Sequence, residues 1–76
     1  MPNAYLAIHT ASGMSPSVMD ALENIDAVVE AHVVAGKFDI MAELEASVTT
    51  DLLPIVTREI RQVEGVGTTR TYVVLD

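Results

Sequence analysis

The residues of this sequence whose types and spacing could do chemistry lie in two short segments. The first is the segment GKFD at 36–39, where Gly36 is a turn residue and Asp39 carries a carboxylate. The second follows Gly65 and contains Thr69 and Thr71, whose hydroxyls share one face of an extended strand because side chains alternate. A carboxylate, two hydroxyls and free loop amides can together hold a zwitterion such as an amino acid.

Each segment also has an ordinary structural interpretation. Gly36 can take a positive φ in a hairpin turn, and Asp39 can accept backbone N–H bonds at the mouth of that hairpin. Threonine is a common strand residue, so Thr69 and Thr71 are consistent with strand propensity alone. Neither segment by itself separates a binding site from a well-formed turn and strand.

The two histidines, His9 and His32, are the remaining candidates for metal binding or acid–base chemistry. Two histidines without a third ligand are more typical of interface residues. Tyr5 and His9 are four residues apart on a predicted strand, about 13 Å, which is too far for direct contact. The sequence also shows no nucleophile beside a base and no phosphate-binding glycine loop. No catalytic residue, metal ligand or cofactor is therefore predicted.

Six elements must position these residues. Hydrophobic periodicity predicts strands at 4–10, 27–35, 38–46 and 66–75. A first helix begins at Ser15 and Pro16, with the serine as N-cap and the proline at the first helical position. A second helix begins near Pro54, since proline is tolerated only in the first turn, and ends at Glu64 and Gly65.

The order β-α-β-β-α-β predicts an α+β, ferredoxin-like fold. Right-handed crossovers place both helices on one face of a four-stranded antiparallel sheet and leave the other face bare. We expect that bare face to pair with a second copy in a dimeric α+β sandwich or barrel. Its expected residues are Tyr5, Ala7, His9, His32, Val34, Met41, Glu43 and Glu45.

Length and composition favour self-association of a single domain spanning 1–76. The chain has 76 residues, no cysteine and 50% hydrophobic residues, more than a small monomer can bury easily. The formal net charge of −7 argues against direct contact with nucleic acid, which requires Lys and Arg to neutralise phosphates. Apolar runs are too short to span a membrane and no targeting segment is visible, so we expect a cytoplasmic protein.

The two segments also resemble a family when they are taken together. VVAGKFDIMAELEA and IRQVEGVGTTRTYVVL are similar to the effector-binding (RAM) domain of the Lrp/AsnC transcription regulators, and the opening AYLAIHTASG is similar to its first strand. The positions that carry the two motifs are Gly36, Phe38, Asp39, Gly65, Val66, Thr69 and Thr71.

The resemblance implies a sensing role in transcription regulation. Such domains form homodimers that assemble to tetramers or octamers, and an amino acid or related effector binds where dimers meet. It implies a ligand site at Gly36, Asp39, Thr69 and Thr71. Full-length members carry a helix-turn-helix, which this sequence does not show, so we expect action through a full-length Lrp/AsnC-type regulator. The alternative is a small dimeric α+β-barrel enzyme of the monooxygenase or isomerase type, using His9 or His32.

Overall fold

Four antiparallel strands form one sheet in the computed structural model, which describes residues 2–75. The strands are β1 (Asn3–Thr10), β2 (Val28–Val33), β3 (Ile40–Glu45) and β4 (Val66–Val73), in the order β2-β3-β1-β4. Helix α1 (Ser15–Glu23) connects β1 to β2, and helix α2 (residues 49–60) connects β3 to β4. This is the predicted ferredoxin-like α+β arrangement, with each strand within a few residues of its expected range.

The core lies on the helix-covered face of the sheet. Alternate residues of β1 and β3 are buried, and they meet in register, with Leu6 opposite Ala42 and Ile8 opposite Ile40. Each strand therefore presents one apolar row, as its alternation predicts. The helices cover these rows with buried side chains, namely Val18 and Leu22 from α1 and Leu52, Val56 and Ile60 from α2.

The start of α1 differs from the prediction by one residue. Met14 occupies the N-cap position, and Ser15 is the first helical residue. The Ser15 hydroxyl forms a 2.7 Å hydrogen bond with that of Thr10. The prediction that Ser15 is the N-cap is therefore wrong, because its side chain pairs with the end of β1 rather than with a helix amide. Pro16 lies in the first turn, as expected.

Helix α2 is irregular, and it begins and ends earlier along the chain than predicted. It opens with a 3₁₀ turn (Thr49–Asp51), continues through one α-helical turn (Leu52–Pro54) and ends in a π-helical segment (Ile55–Ile60). The Arg61 amide donates to the Val56 carbonyl at 2.9 Å, a five-residue step. The predicted end at Glu64 and Gly65 is therefore wrong: the chain turns after Ile60.

The hairpin between β2 and β3 forms as predicted but has a longer loop. The Val34 amide donates to the Asp39 carbonyl at 2.8 Å, closing a loop of residues 34–39. Val34 thus lies just beyond the end of β2. Gly36 does not use a positive φ; among the described residues the glycines that do are Gly13 at 76° and Gly65 at 97°. Within residues 2–75 no helix is long and apolar enough to cross a membrane.

Candidate functional site

The Asp39 carboxylate joins the hairpin to the end of β1. Its Oδ2 atom accepts the backbone N–H of Thr10 at 2.8 Å, and the Asp39 amide donates to the Ile8 carbonyl at 3.0 Å. The Thr10 hydrogen bond is the main reason that the pKa of Asp39 lies below its ordinary value of 3.8, with His9 adding to the shift. Asp39 therefore carries its charge throughout the physiological pH range.

His9 and Phe38 complete a small cluster around this carboxylate. The Nδ1 atom of His9 lies 3.6 Å from Oδ2 of Asp39. The imidazole also packs on the Phe38 ring, with centroids 4.5 Å apart and planes inclined by 36°. Both His9 and Asp39 remain accessible to solvent, with 42% and 43% of their side-chain surface exposed. A small molecule can therefore reach the cluster.

The predicted threonines share a face, but it is not the face that carries His9. Thr69 pairs with Ile8 and Thr71 pairs with Leu6, so both threonines lie on the helix-covered side of edge strand β4. Both are half-buried. Strand β1 separates β4 from β3, which places the threonines roughly 10 Å from the end of β3.

One chain therefore brings the four predicted ligand residues to the same end of the sheet without joining them into one pocket. Gly36 lies exposed in the hairpin loop, where an added Cβ would meet nothing within 4 Å. Asp39 lies at the strand end, and Thr69 and Thr71 lie two strands away. Their role as ligand-binding residues stays a prediction.

Sequence reasoning did not include His9 in this site. His9 precedes Thr10 and is close to Asp39 only because β1 and β3 pair with Ile8 opposite Ile40. That register extends the ladder toward the hairpin and sets His9 beside Asp39. The signal that could have placed His9 in the site is the pairing of the two buried apolar rows, which sets Ile8 opposite Ile40.

The bare face of the sheet carries a second feature, with aromatic residues and separated charges. Tyr5 and Tyr72 are opposite each other and are 45% and 60% exposed. Acids occupy the half formed by β2 and β3, whereas β4 carries a basic residue opposite Ala7. The charged residues of this face are Glu30, Glu43, Glu45 and Arg70.

A depression of about 200 Å³ lies on the acidic half of the bare face. It is lined by Tyr5, Glu30, His32, Met41, Ala42 and Glu43. His32 makes a 2.8 Å contact with Glu30, its neighbour on the same strand. The depression opens on the sheet surface and not between helices and sheet, where the alternative enzyme would need its cavity. Within residues 2–75 no group of three or more potential ligands could hold a metal ion.

A second groove, of about 450 Å³, runs beside α2. It combines an apolar floor that includes Pro54 and Ile55 with the charged side chains of Asp51, Arg58 and Glu59. No motif of the sequence pointed to it. Its residues come from the end of β3 and from the irregular helix, so only the folded chain places them together.

The four-stranded antiparallel sheet with two covering helices defines the class as a small ferredoxin-like α+β domain. The sequence model of the Lrp/AsnC ligand binding domain matches residues 3–76. The chain therefore belongs to the Lrp/AsnC ligand-binding domain family, a regulatory domain of transcription regulators.

Known proteins agree with this assignment. An uncharacterised HTH-type transcriptional regulator of Pyrococcus furiosus is 36% identical over 56 residues, which cover 74% of this chain and 37% of the relative. The chain thus spans less than two-fifths of that curated relative. The crystal structure of FFRP-DM1 is 31% identical, with a TM-score of 0.93, and the match covers 99% of this chain and 100% of that one.

A more distant structure shows the same fold. A transcriptional regulator from Neisseria meningitidis, solved as a complex with L-Met, has a TM-score of 0.89 at 12% identity. The match covers 99% of this chain and 50% of the regulator.

Proposed function

We propose that this chain is the amino-acid-sensing module of a transcription-regulation system. The observation that carries the proposal is the Asp39 carboxylate, which is held in place at the hairpin mouth and stays ionised. Thr10 and His9 both approach its Oδ2 atom. The Asp39 side chain is 43% exposed, so an α-ammonium group can reach the carboxylate. The Neisseria regulator with this fold binds an amino acid, L-Met.

We place the complete site between copies of the chain. Asp39 and Gly36 lie at the hairpin, whereas Thr69 and Thr71 lie on edge strand β4 beyond β1. A ligand that contacts both groups needs an additional surface to bridge them. A second copy supplies it, with the hairpin of one copy approaching β4 of another. The amino-acid side chain is then selected by apolar surface contributed by the assembly.

The basic assembly unit in this proposal is a homodimer formed through the bare face of the sheet. Tyr5 and Tyr72 are exposed there as cross-strand neighbours, and Ala7, two residues along β1 from Tyr5, is only 4% exposed. Exposed aromatic surface of this kind favours a protein contact over solvent. Tetramers and octamers follow if such dimers then meet at their hairpins.

The module acts on transcription through a DNA-binding regulator of the Lrp/AsnC type in the cytoplasm. The net charge of −7 opposes direct contact with DNA. Both helices of residues 2–75 are engaged in covering the sheet, so neither is available to enter a DNA groove. DNA contact must therefore come from another segment or another chain, and the curated relatives are HTH-type regulators.

A thermal-shift panel of the twenty amino acids, beginning with L-methionine, tests the sensing role. An amino acid that binds the native state raises Tm in proportion to ln(1 + [L]/Kd). We expect at least one to do so, and we expect Asp39→Ala to abolish the shift. Asp26→Ala is the matched control, since Asp26 is an exposed acid outside the cluster. If none of the twenty amino acids raises Tm, or if Asp39→Ala leaves the shift unchanged, the proposal is wrong.

A further inference from the structure

The imidazole of His9 has no role in the site described so far, although its position relates it directly to Asp39. It approaches the same carboxylate oxygen, Oδ2, that accepts the Thr10 amide. The Phe38 ring packs against it. The imidazole therefore lies beside a carboxylate that is still accessible to solvent.

We propose that His9 makes effector binding pH-dependent: the imidazolium beside Asp39 competes with an effector ammonium for the carboxylate, whereas the neutral imidazole does not. This inference rests on the proposed function and specifies how the same site is regulated. An imidazole changes its charge within the physiological pH range, whereas Asp39 stays ionised over all of it.

The charged groups around His9 support this competition. Asp39 faces the imidazole from the hairpin, and it is the charged side chain in contact with it. From β4, Gly67 lies close to the His9 backbone, since a Cβ added at Gly67 would be 3.3 Å from the His9 carbonyl oxygen. The charged residue of that strand on the same face is Arg70, which pairs with Ala7. Lys37 is exposed in the hairpin loop. Arg70 and Lys37 are both cationic and repel an imidazolium, so Asp39 is the neighbouring group that attracts it.

The direction of the effect follows from the charges. A protonated imidazole neutralises part of the Asp39 charge, so an incoming ammonium gains less. Beside a neutral imidazole the carboxylate keeps its full charge, and binding strengthens. Because the pair is partly exposed to solvent, we expect binding to be about two- to five-fold weaker near pH 5.5 than near pH 8.

The first test measures the site without any ligand. The pKa of the Asp39 carboxyl is followed by NMR in the native chain, in His9→Gln and in His32→Gln. Losing His9 should raise the pKa of Asp39 toward its ordinary value of 3.8, since His9 contributes to the lowering. His32→Gln is the matched control, because its acidic partner is Glu30. An unchanged Asp39 pKa in His9→Gln would show that the imidazolium does not interact with the carboxylate, and it would overturn the proposal.

The second test measures binding by calorimetry between pH 5.5 and pH 8. The probe is the amino acid of the twenty-member panel that gives the largest thermal shift. We expect the pH dependence in the native chain and in His32→Gln, and a flat profile in His9→Gln. A native profile without pH dependence overturns the competition while leaving amino-acid sensing intact. If no amino acid binds, the proposed function fails, and the Asp39 titration still decides whether the His9 imidazolium interacts with the carboxylate.

Discussion

The Asp39 carboxylate has a structural role as well as the proposed binding role. It satisfies the Thr10 amide at the end of β1, where the strand ladder with β3 stops. A backbone N–H at a strand end needs a partner, and a fixed carboxylate is a strong one. The same bond lowers the pKa of Asp39, so the folded state favours the ionised carboxyl more than the unfolded state does.

This linkage predicts how stability depends on pH. Because the folded pKa lies below the ordinary value of 3.8, the contribution of Asp39 is fully present above that value. It is lost as the pH falls through the folded pKa. We expect Asp39→Asn to lower Tm by a few degrees at neutral pH and to have a diminishing effect under strongly acidic conditions. Thermal melts as a function of pH, with Asp26→Asn as control, measure this. A penalty that grows on acidification would contradict it.

Gly65 and Gly36 provide a second comparison between single residues. Gly65 has a φ of 97°, and a Cβ there would lie 2.9 Å from the Met14 Cβ. We expect Gly65→Ala to reduce the free energy of unfolding by about 2–4 kcal/mol, through backbone strain and overpacking against α1. Gly36→Ala is the control, because its Cβ would be in open space. Denaturant unfolding measures the free energy of unfolding of both variants. Equal losses would contradict the strain and overpacking expected at Gly65.

Sequence reasoning could predict the chemistry of Asp39 but not its full surroundings. A carboxylate beside a glycine turn predicts an acceptor for a backbone N–H group, and the Asp39 carboxylate accepts the N–H of Thr10. The partner, Thr10, and the neighbour, His9, depend on the register between β1 and β3, which the separate segments do not specify. Gly36 shows the same limit: its type permits a positive φ, but a six-residue loop closed from Val34 to Asp39 does not require it.

At the scale of elements, α2 keeps one buried face although its backbone changes helix type along its length. The Thr57 hydroxyl stabilises this irregular backbone, since it donates to the carbonyls of Leu53 and Pro54 at 3.1 and 3.4 Å. These are carbonyls near the transition into the π-helical segment. The wider turn still directs Val56 and Ile60 into the core.

The buried face of α2 predicts a large difference between two similar residues. Ile60 is fully buried, whereas Leu53 on the same helix is 63% exposed. We expect Ile60→Ala to reduce the free energy of unfolding by about 3 kcal/mol, because it leaves a cavity under the sheet. Leu53→Ala should stay within about 0.5 kcal/mol. Chemical denaturation of the two variants measures this, and comparable losses would contradict the packing described for α2.

The elements themselves were largely predictable, because alternation in the strands and the spacing of α1 are local patterns. Helix α2 was not fully predictable. Its periodic residues continue to Val63, which suggested a helix up to Gly65, but the chain leaves the helix after Ile60 to reach the start of β4. The C-terminal end of α2 depends on where β4 begins in space, and the tertiary fold sets that position.

At the scale of the whole molecule, the bare sheet face has a charge asymmetry that constrains the proposed dimer. A twofold axis parallel to the strands sets β2 of one copy opposite β4 of the other. Arg70 on β4 then lies opposite β2, level with His32 and two residues along the strand from Glu30. An axis perpendicular to the strands sets β2 opposite β2 and β4 opposite β4, so that Arg70 lies away from Glu30. Charge complementarity therefore favours the parallel axis.

Charge reversal tests this arrangement. We expect Arg70→Glu and Glu30→Arg each to raise the dimer Kd about tenfold, because each sets like charges against each other across the interface. The double variant should restore dimerisation, since the pair is exchanged between the facing copies. Arg58→Glu is the matched control, as it makes the same charge change on α2, away from the sheet face. Sedimentation equilibrium at low ionic strength measures all four. Failure of the double variant to recover would rule out the parallel axis, whereas unchanged dimerisation in both single variants would place the dimer contact elsewhere.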